Sequence, residues 1–422
     1  MATNPPSLAD TPALLHWSDA AGAAQQAAWR SERGVAPPKR VVLADDTLPA
    51  DVAYRLACEG TGLLWQGDFQ NARHLLQALV RRTDRPAPQR KQRAAAKAPA
   101  APVFPEAFHR HRMAQAQRAR ILGALLIPFE PGWHIPLRRA PEVAEACREA
   151  WGPLTEGRAV TSLRELLGAI SAHEWQRQGV AVPTLARLAP PGTDREAAGR
   201  LHPHYGVFSP VRGEYIDLVA QAPWPGGRAP RLAVDVGTGT GVLAAVLARR
   251  GAERVQATDL DARALACAAE NFQRLGVADR VELLRADLFP AAGGDATGGA
   301  AERADLIVCN PPWLPGRPSS PLERAVYDEG SRMLTGYLDG LAARLAPGGE
   351  GWLILSDLAE HLALRSRDEL LALFERAGLQ VVGRLDARPR HPKAGDASDP
   401  LHAARSKEVT SLWRLAVKAG GG

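Results

Sequence analysis

The sequence has few cysteines, and they lie far apart. Only four of its 422 residues are cysteines, namely Cys58, Cys147, Cys267 and Cys309. No two of them have the spacing of a CxxC motif or of a pair of metal ligands. This pattern argues against a disulfide-stabilised scaffold and a zinc module, and it is typical of a reduced intracellular protein. We therefore predict no metal site.

Long apolar runs are also missing. No stretch approaches the roughly 18 apolar residues that a membrane-spanning helix needs. The N-terminal residues, MATNPPSLAD, have neither a basic segment nor an apolar one, so they do not resemble a signal peptide. From these two absences we expect a cytoplasmic protein without a membrane partner.

The charge balance is mildly basic. The chain has 52 Lys and Arg against 46 Asp and Glu, which gives a formal charge of +6 and a pI of about 9.4. Such an excess permits a nucleic-acid partner without requiring one. At about 100–200 residues per domain, the length predicts two or three domains.

Composition divides the N-terminal half into three parts. Residues 1–85 predict an N-terminal α(+β) region with a strand at Arg40–Asp46 and a helix at Asn71–Arg82. Residues 86–104 predict a basic linker rich in Pro and Ala, which is either a solvated tether or an arm that contacts phosphates. Residues 105–198 predict a mainly helical region. Its first helix, which carries His109–Arg112, can lie on nucleic acid or simply face solvent.

Residues 199–418 have a different pattern, in which apolar strand-like runs alternate with helical segments. This alternation is typical of a parallel sheet with crossover helices, so the predicted fold class is α/β, with a mostly parallel sheet and a mainly helical (α or α+β) N-terminal domain. Two last runs, LQVVGRLDA and EVTSLWRLAV, predict a terminal hairpin with a long loop.

The first strand of this region runs into a glycine-rich turn, DVGTGTG. Glycines at the start of a helix allow the backbone to approach a ligand closely. The spacing is GxGxG, whereas a dinucleotide pyrophosphate is bound by GxGxxG. The candidate cofactor contacts in this turn are Asp235, Gly237, Thr238, Gly239 and Gly241.

Two acidic residues follow the next two strands. Asp259 ends the second strand 22 residues after Gly237, where an acid commonly accepts hydrogen bonds from ribose hydroxyls. We prefer it to Asp261, which we predict to be the N-cap of the next helix. Asp287 follows the third strand and is either an acceptor for an adenine amino group or a turn residue. The neighbouring Leu260 and Leu288 complete the predicted cofactor contacts.

The fourth strand ends in LIVCNPPWLP, residues 306–315. Consecutive prolines cannot donate to a sheet ladder, and each restricts the residue before it. We therefore predict that the strand stops at Asn310 and that the chain continues in a stiff, extended conformation. Since ligands bind outside the carboxyl ends of parallel strands, Asn310 shares an edge with the candidate cofactor contacts.

An amide oxygen fixed at this edge suits the alkylation of an amino group on a flat carrier. The lone pair of such a nitrogen is delocalised, and the Asn310 side-chain oxygen and the Pro311 carbonyl can both accept hydrogen bonds from its hydrogens. The prolines fix both acceptors, and the indole of Trp313 can stack on the carrier. The predicted catalytic residues are Asn310, Pro311, Pro312 and Trp313. Asn310 is also a predicted contact of both cofactor and substrate, and Trp313 one of the substrate.

These motifs resemble those of class I S-adenosylmethionine-dependent methyltransferases, in the small-domain and HemK-like N-methyltransferase group. The resemblance rests on VDVGTGTG, ATDLD, RADLF and NPPW, and it covers roughly residues 199–416. It implies a Rossmann-like sheet of seven strands with the last one antiparallel, and S-adenosyl-L-methionine as cofactor. By analogy, Phe208, Pro210 and Arg212 would lie over the cofactor, with Phe208 and Arg212 as substrate contacts.

The resemblance leaves the methyl acceptor open. The leading hypothesis is an exocyclic amino group of a nucleic-acid base, with RNA favoured, and its motivation is NPPW together with the basic linker and helix. Trp in this motif is commoner among enzymes that methylate nucleic acids, but it does not decide between the acceptors. The alternative is a protein substrate, a glutamine amide as in release-factor methyltransferases. A noncatalytic nucleic-acid-binding module is less favoured because every motif position is chemically intact. An NAD-dependent oxidoreductase would leave NPPW without a role.

Overall fold

The computed structural model describes residues 13–32, 34–85, 104–210, 213–290, 302–318, 322–389 and 401–418. Contacts divide the chain into two compact units, one of residues 1–102 and 109–173 and the other of residues 103–108 and 174–422. The boundaries that composition suggests at residues 85, 104 and 198 stay predictions. The predicted linker lies outside the described residues except for its last residue, Phe104.

The N-terminal unit has a mixed sheet of six strands. The strands are β1 (Leu14–Ser18), β2 (Ala24–Trp29), β3 (Arg40–Ala44), β4 (Thr61–Trp65), β5 (Leu125–Phe129) and β6 (Ala159–Ser162), in the order β1-β2-β6-β5-β4-β3. β3, β4 and β5 are parallel, whereas β5 and β6 are antiparallel. The helices are α1 (Ala50–Cys58), α2 (Phe69–Thr83), α3 (Phe104–Leu122), α4 (Ala144–Trp151) and α5 (Leu163–Gln178), and the unit boundaries fall within α3 and α5.

The N-terminal half is α+β, which is the second of the two forms predicted for it. The predicted strand that starts at Arg40 and the predicted helix over residues 71–82 are confirmed as β3 and α2. The other strands were not predicted, and residues 105–198, predicted to be mainly helical, contribute β5 and β6 to the sheet. The helical prediction extends over Gly123–Leu126, but α3 ends at Leu122 and β5 begins at Leu125. Short apolar runs cannot be assigned to helix or strand by periodicity alone.

The two faces of this sheet are buried in different ways. One face packs against helices and forms the main core of the unit, which includes Leu63, Leu125 and Phe129. The other face holds a smaller cluster made only of strand residues, with Leu15, Ala27, Leu64, Leu126 and Val160 at its centre. The edge strands β1 and β3 lie beside each other without sharing a ladder, so the sheet curls around this second face.

The C-terminal unit contains the predicted sheet of seven strands. They are β9 (Leu232–Val236), β10 (Arg254–Asp259), β11 (Val281–Arg285), β12 (Ala304–Cys309), β15 (Leu345–Ser356), β16 (Leu379–Ala387) and β17 (Thr410–Val417). Their order is β11-β10-β9-β12-β15-β17-β16, and only β17 runs antiparallel to its neighbours. The α/β fold class, the antiparallel last strand and the terminal hairpin are thereby confirmed.

Two short strand pairs and nine α-helices also lie in the described part of this unit. β7 (Val180–Ala181) pairs with β8 (Arg200–Leu201), and β13 (Leu314–Pro315) pairs with β14 (Tyr327–Asp328). The helices are α6 (Pro183–Arg187), α7 (Arg195–Ala198), α8 (Glu214–Gln221), α9 (Val242–Arg249), α10 (Ala262–Leu275), α11 (Arg332–Arg344), α12 (Leu358–His361), α13 (Arg367–Arg376) and α14 (His402–Arg405). None of the described helices is both long and apolar enough to span a membrane.

The register of the large sheet decides what meets at its edge. Val236 of β9 lies opposite both Thr258 of β10 and Cys309 of β12, so these three strand ends form one row. Alternate residues of the strands pack into two separate cores, one on each face of the sheet. The chain leaves the row at the glycine turn, at Asp259 and at Asn310, which therefore share one edge, as predicted.

Candidate active site

The glycine turn is organised around the carboxylate of Asp235. This side chain is 1% exposed, and its Oδ2 accepts hydrogen bonds from the Thr238 hydroxyl at 2.7 Å and from the Ala244 amide at 3.0 Å. Burial raises the pKa of Asp235 to about 6, and the two hydrogen bonds oppose that rise. Because Asp235 is buried and hydrogen-bonded to the turn and to α9, it can hold the turn in place.

The three glycines of the turn have different surroundings. All three have positive φ, at 74° for Gly237, 55° for Gly239 and 85° for Gly241. A Cβ on Gly237 would lie 2.6 Å from Met333 Cε, and one on Gly241 would lie 2.5 Å from the Phe272 ring. A Cβ on Gly239 would meet nothing within 4 Å. Packing thus explains two of the glycines, and the third faces open space at the edge of the sheet.

Asp259 joins the turn to the second strand. Its Oδ2 accepts a hydrogen bond from the Gly239 amide at 3.0 Å, and its Oδ1 accepts one from the Asp261 amide at 3.0 Å. Burial raises the pKa of this carboxyl above its ordinary value. Each oxygen keeps a further lone pair, so the two can accept from a pair of hydroxyls beside Gly239. Asp261 caps α10 by accepting from the Arg263 amide at 2.8 Å, which confirms its predicted role.

Asp287 and Leu288 have partners that the sequence did not indicate. Asp287, with a half-exposed side chain, pairs with Arg332 at 2.7 Å. Leu288 has a φ of 73°, and its carbonyl accepts from the Thr258 hydroxyl at 2.5 Å. The Leu288 side chain approaches Gly336 of α11, where a Cβ would be 2.6 Å from its Cδ1. An adenine contact of either residue stays a prediction.

The Asn310 segment leaves the sheet as the sequence predicts. β12 ends at Cys309, and the chain passes through Asn310 and the two prolines into β13. β13 pairs with β14, and Asp328 at the end of β14 accepts hydrogen bonds from the Met333 and Leu334 amides at 3.0 Å each. A buried helix cap therefore anchors the strand pair that follows the prolines.

Trp313 turns back onto Asn310. Its indole Nε1–H donates to Asn310 Oδ1 at 2.9 Å, while the ring is partly buried against both cores of the unit. An indole nitrogen is only a donor, so this contact sets which end of the Asn310 amide carries the oxygen. One lone pair of Oδ1 remains for another donor. Stacking of Trp313 on a substrate stays a prediction.

The segment before α8 lies against α10. The His202 amide donates to Asn271 Oδ1 at 2.8 Å, and the Arg263 guanidinium donates to the Tyr205 carbonyl at 3.2 Å. Phe208 follows and is 38% exposed, while Leu260 beside Asp259 is 57% exposed. Pro210 is buried. Arg212 lies outside the described residues, so its predicted role cannot be placed on the fold.

Sequence reasoning missed Arg332, Met333 and Thr258. Arg332 pairs with Asp287 across 45 positions, Met333 packs on Gly237, and the Thr258 carbonyl accepts from the Gly237 and Thr238 amides at 2.9 and 2.8 Å. No local motif marks these three residues. Thr258 alone could have been suspected, because it directly precedes the predicted Asp259. Within the described residues, no group of three His, Cys, Asp or Glu side chains could hold a metal ion.

This part of the chain also matches a known family. Residues 218–357 match the model of the methyltransferase small domain. The match covers 140 of the 422 residues of the chain. The match includes the glycine turn, Asp259, Asp287 and the Asn310 segment, whereas Phe208, Pro210 and Arg212 precede it in the sequence.

Relatives of the methyltransferase small domain act on different substrates. The chain is 36% identical over 170 residues to the release factor glutamine methyltransferase of Bordetella pertussis, covering 38% of this chain and 57% of that protein. It is 29% identical over 182 residues to the tRNA1(Val) (adenine(37)-N6)-methyltransferase of Tolumonas auensis, covering 42% and 70%. The chain thus spans little more than half of the glutamine methyltransferase.

Solved structures that are similar to this chain include SAM-dependent methyltransferases. The S-adenosyl-L-homocysteine complex of a SAM-dependent methyltransferase from Thiobacillus denitrificans is 18% identical, with a TM-score of 0.32, covering 50% of this chain and 92% of that one. The class I fold of the present chain rests on its own strand order and on the match to the small domain.

Proposed function

We propose that the protein is an S-adenosyl-L-methionine-dependent N-methyltransferase whose acceptor is an exocyclic amino group of a nucleic-acid base, with RNA favoured. The observation that carries this proposal is the placement of Asn310-Pro311-Pro312-Trp313 beside Gly239 and Asp259 at one edge of the sheet. The edge combines a place for a nucleoside-containing cofactor with two acceptors for an amino group.

The cofactor fits the residues of this edge. Open space faces Gly239, and the two oxygens of Asp259 are held at its border by backbone amides. Asp259 would accept from the ribose hydroxyls, and the backbone of the glycine turn would approach the amino-acid part of the cofactor. When bound, S-adenosyl-L-methionine supplies an electrophilic methyl group on a sulfonium.

The chain's own part in the reaction is to position the acceptor nitrogen. Asn310 Oδ1 uses one lone pair for the Trp313 indole, and the second accepts from the substrate amino group. The Pro311 carbonyl accepts from the other hydrogen, and both acceptors are fixed by the prolines. Drawing the two N–H bonds toward these acceptors frees the nitrogen lone pair. The proton leaves easily after alkylation, so no strong general base is needed.

A glutamine amide of a protein is the second candidate. It presents the same planar NH2 group to the same two acceptors, and relatives of 36% and 41% identity are release factor glutamine methyltransferases. The basic segments of the N-terminal half and the Trp in the motif favour nucleic acid instead.

The test uses a deletion strain, the same strain with the gene restored, and a third with Asn310→Ala. Mass spectrometry of nucleosides from total RNA and DNA, together with peptide mass analysis of release factors and ribosomal proteins, covers both candidates. We expect one methylated RNA nucleoside that disappears on deletion and returns only with the wild-type gene. A methylated glutamine with the same dependence would support the alternative. No change in either RNA or DNA would overturn the leading proposal, and a change in DNA alone would overturn its preference for RNA.

A further inference from the structure

The N-terminal unit has a cavity of about 380 Å³ that the proposed chemistry does not use. It lies at the edge of the six-stranded sheet where β4 and β5 end, and Ala159 at the start of β6 pairs with Phe129 at that edge. Ligands of sheets with parallel strands commonly bind at the carboxyl ends of those strands. The cavity therefore has the position of a binding site.

Its floor is apolar and is closed by the curl of the sheet. The floor side chains belong to the smaller core cluster or to the strands around it, namely Ala27, Leu64, Pro128 and Val160. Buried Trp65 also lines the cavity, and its indole N–H is already bonded to the Asp68 carbonyl at 3.0 Å. The floor thus offers contact area without a free hydrogen-bond donor from Trp65.

One wall is a flat indole held beside a guanidinium. The Arg158 guanidinium carbon lies 5.5 Å from the centre of the Trp17 ring, which is partly exposed. Arg158 donates to Gln25 Oε1 at 2.8 Å, and Gln25 donates to Asp19 Oδ2 at 2.8 Å. Asp19 is itself anchored by the Ala21 and Ala23 amides. This chain of hydrogen bonds orders the wall before any ligand arrives.

Two further polar residues line the cavity, and their side chains make no hydrogen bond to a described residue. They are Gln66, directly after β4, and Glu130, directly after β5. An amide offers both a donor and an acceptor, whereas a carboxylate only accepts. Asp19 and Glu130 outnumber Arg158 in charge, so an isolated anion such as free phosphate is a poor match. A flat ring with amino groups on its edge matches the indole, the amide and the carboxylate together.

We propose that this cavity binds one nucleobase of a single-stranded RNA, with Trp17 as the stacking face and with Gln66 and Glu130 contacting the edge of the base. This rests on the RNA branch of the proposed function. Binding pockets for small ligands commonly have about 300–1,000 Å³, so this one suits a single nucleoside. Because the cavity lacks the Asn310 acceptors, the base that it binds is a different one from the base that is methylated.

Fluorescence anisotropy of the full chain with short, labelled homopolymeric oligoribonucleotides tests the proposal. We expect Trp17→Ala to weaken binding about tenfold, the scale of one lost base stack. We expect Glu130→Gln to change the preference among the four homopolymers. Trp175→Ala is the matched control, because that indole is 53% exposed and does not line the cavity. We expect the control to bind like the wild type.

Equal affinities for Trp17→Ala and Trp175→Ala, with an unchanged homopolymer preference in Glu130→Gln, would overturn the proposal. A second result would also overturn it: saturable, Trp17-dependent binding of arginine amide by a protein that does not bind the oligoribonucleotides. Gln66→Ala is a second variant in case Trp17→Ala does not fold, since Gln66 is exposed. Asn310→Ala separates the two proposals: it should lose methyl transfer and keep the Trp17-dependent binding. Methyl transfer to RNA without Trp17-dependent binding would refute the cavity proposal alone.

Discussion

The carboxylate of Asp235 is the residue whose ionisation should be visible in the stability of the protein. Burial raises its pKa from 3.8 to about 6, so the folded state binds the proton more tightly than the unfolded state does. The contribution of Asp235 to the free energy of unfolding is therefore most favourable below about pH 4 and is lost as the pH rises through about 6. A shift of this size corresponds to roughly 3 kcal/mol.

Asp235→Asn should remove this pH dependence. The amide keeps an acceptor for Thr238 or Ala244 but carries no charge to bury. The variant should therefore become more stable relative to the wild type as the pH rises from about 4 to about 7. The difference in the free energy of unfolding should grow by up to roughly 3 kcal/mol. Urea denaturation at a series of pH values measures the difference. A difference that stays constant across this range would contradict the account.

The hydrogen bond from Trp313 should orient the side-chain amide of Asn310, the predicted catalytic residue. Trp313→Phe keeps an aromatic ring but removes the N–H donor at 2.9 Å, so the Asn310 amide can turn. We expect single-turnover methyl transfer to the RNA substrate to fall about tenfold, the scale of one well-placed hydrogen bond of about 1.4 kcal/mol, with little change in KM.

A measurement that needs no substrate checks the same bond. In ¹H–¹⁵N spectra, the indole signal that disappears in Trp313→Phe belongs to Trp313. In Asn310→Ala this signal should shift and its hydrogen should exchange faster. Trp175→Phe serves as control, because its indole is exposed. An unchanged Trp313 signal in Asn310→Ala would show that the bond is not formed in solution.

At the level of elements, the cap of α11 connects helix stability to the Asn310 segment. Asp328 is 7% exposed and accepts from the first amides of α11 while its own backbone pairs with Pro315. Asp328→Ala should cost about 1–2 kcal/mol of unfolding free energy. Asp328→Asn keeps an acceptor and should cost less. Urea denaturation and amide exchange at Met333 and Leu334 measure both effects, and equal losses in the two variants would exclude the capping role.

The elements of the C-terminal unit could be predicted because local signals agree there with the final fold. Apolar strands alternate with helices that end at glycines, as at Gly276, which has a φ of 66° and caps α10. Turn chemistry, capping and periodicity point to the same structure in this region. In the N-terminal unit, β6 has only four residues, and β2 reads AQQAAW. Such runs become strands because of their neighbours in the sheet, which no local pattern reveals.

The candidate site was predictable to the same extent. The register brings Gly239, Asp259 and Asn310 to one edge because parallel strands end together, and that rule can be applied to a sequence. The ion pair of Asp287 with Arg332 and the bond of Trp313 to Asn310 depend on helix placement and on a side-chain rotamer. These are consequences of tertiary packing, so they could be found only in the structure.

At the scale of the whole molecule, each unit has its own hydrophobic core. A ligand that binds only the folded C-terminal unit should therefore stabilise that unit by about 2.7 kcal/mol at a concentration of 100 times its Kd. Scanning calorimetry of the full chain should show the transition of this unit moving to higher temperature with S-adenosyl-L-methionine.

The transition of the N-terminal unit should stay where it is, because all the predicted cofactor contacts belong to the C-terminal unit. Asp259→Ala is the matched control, since it removes the predicted ribose acceptor and should abolish the shift. If both transitions moved together, the two units would unfold cooperatively, and the division of binding and stability between them would be wrong. If neither moved while RNA was still methylated, the assignment of Asp259 and the glycine turn as the cofactor site would fail.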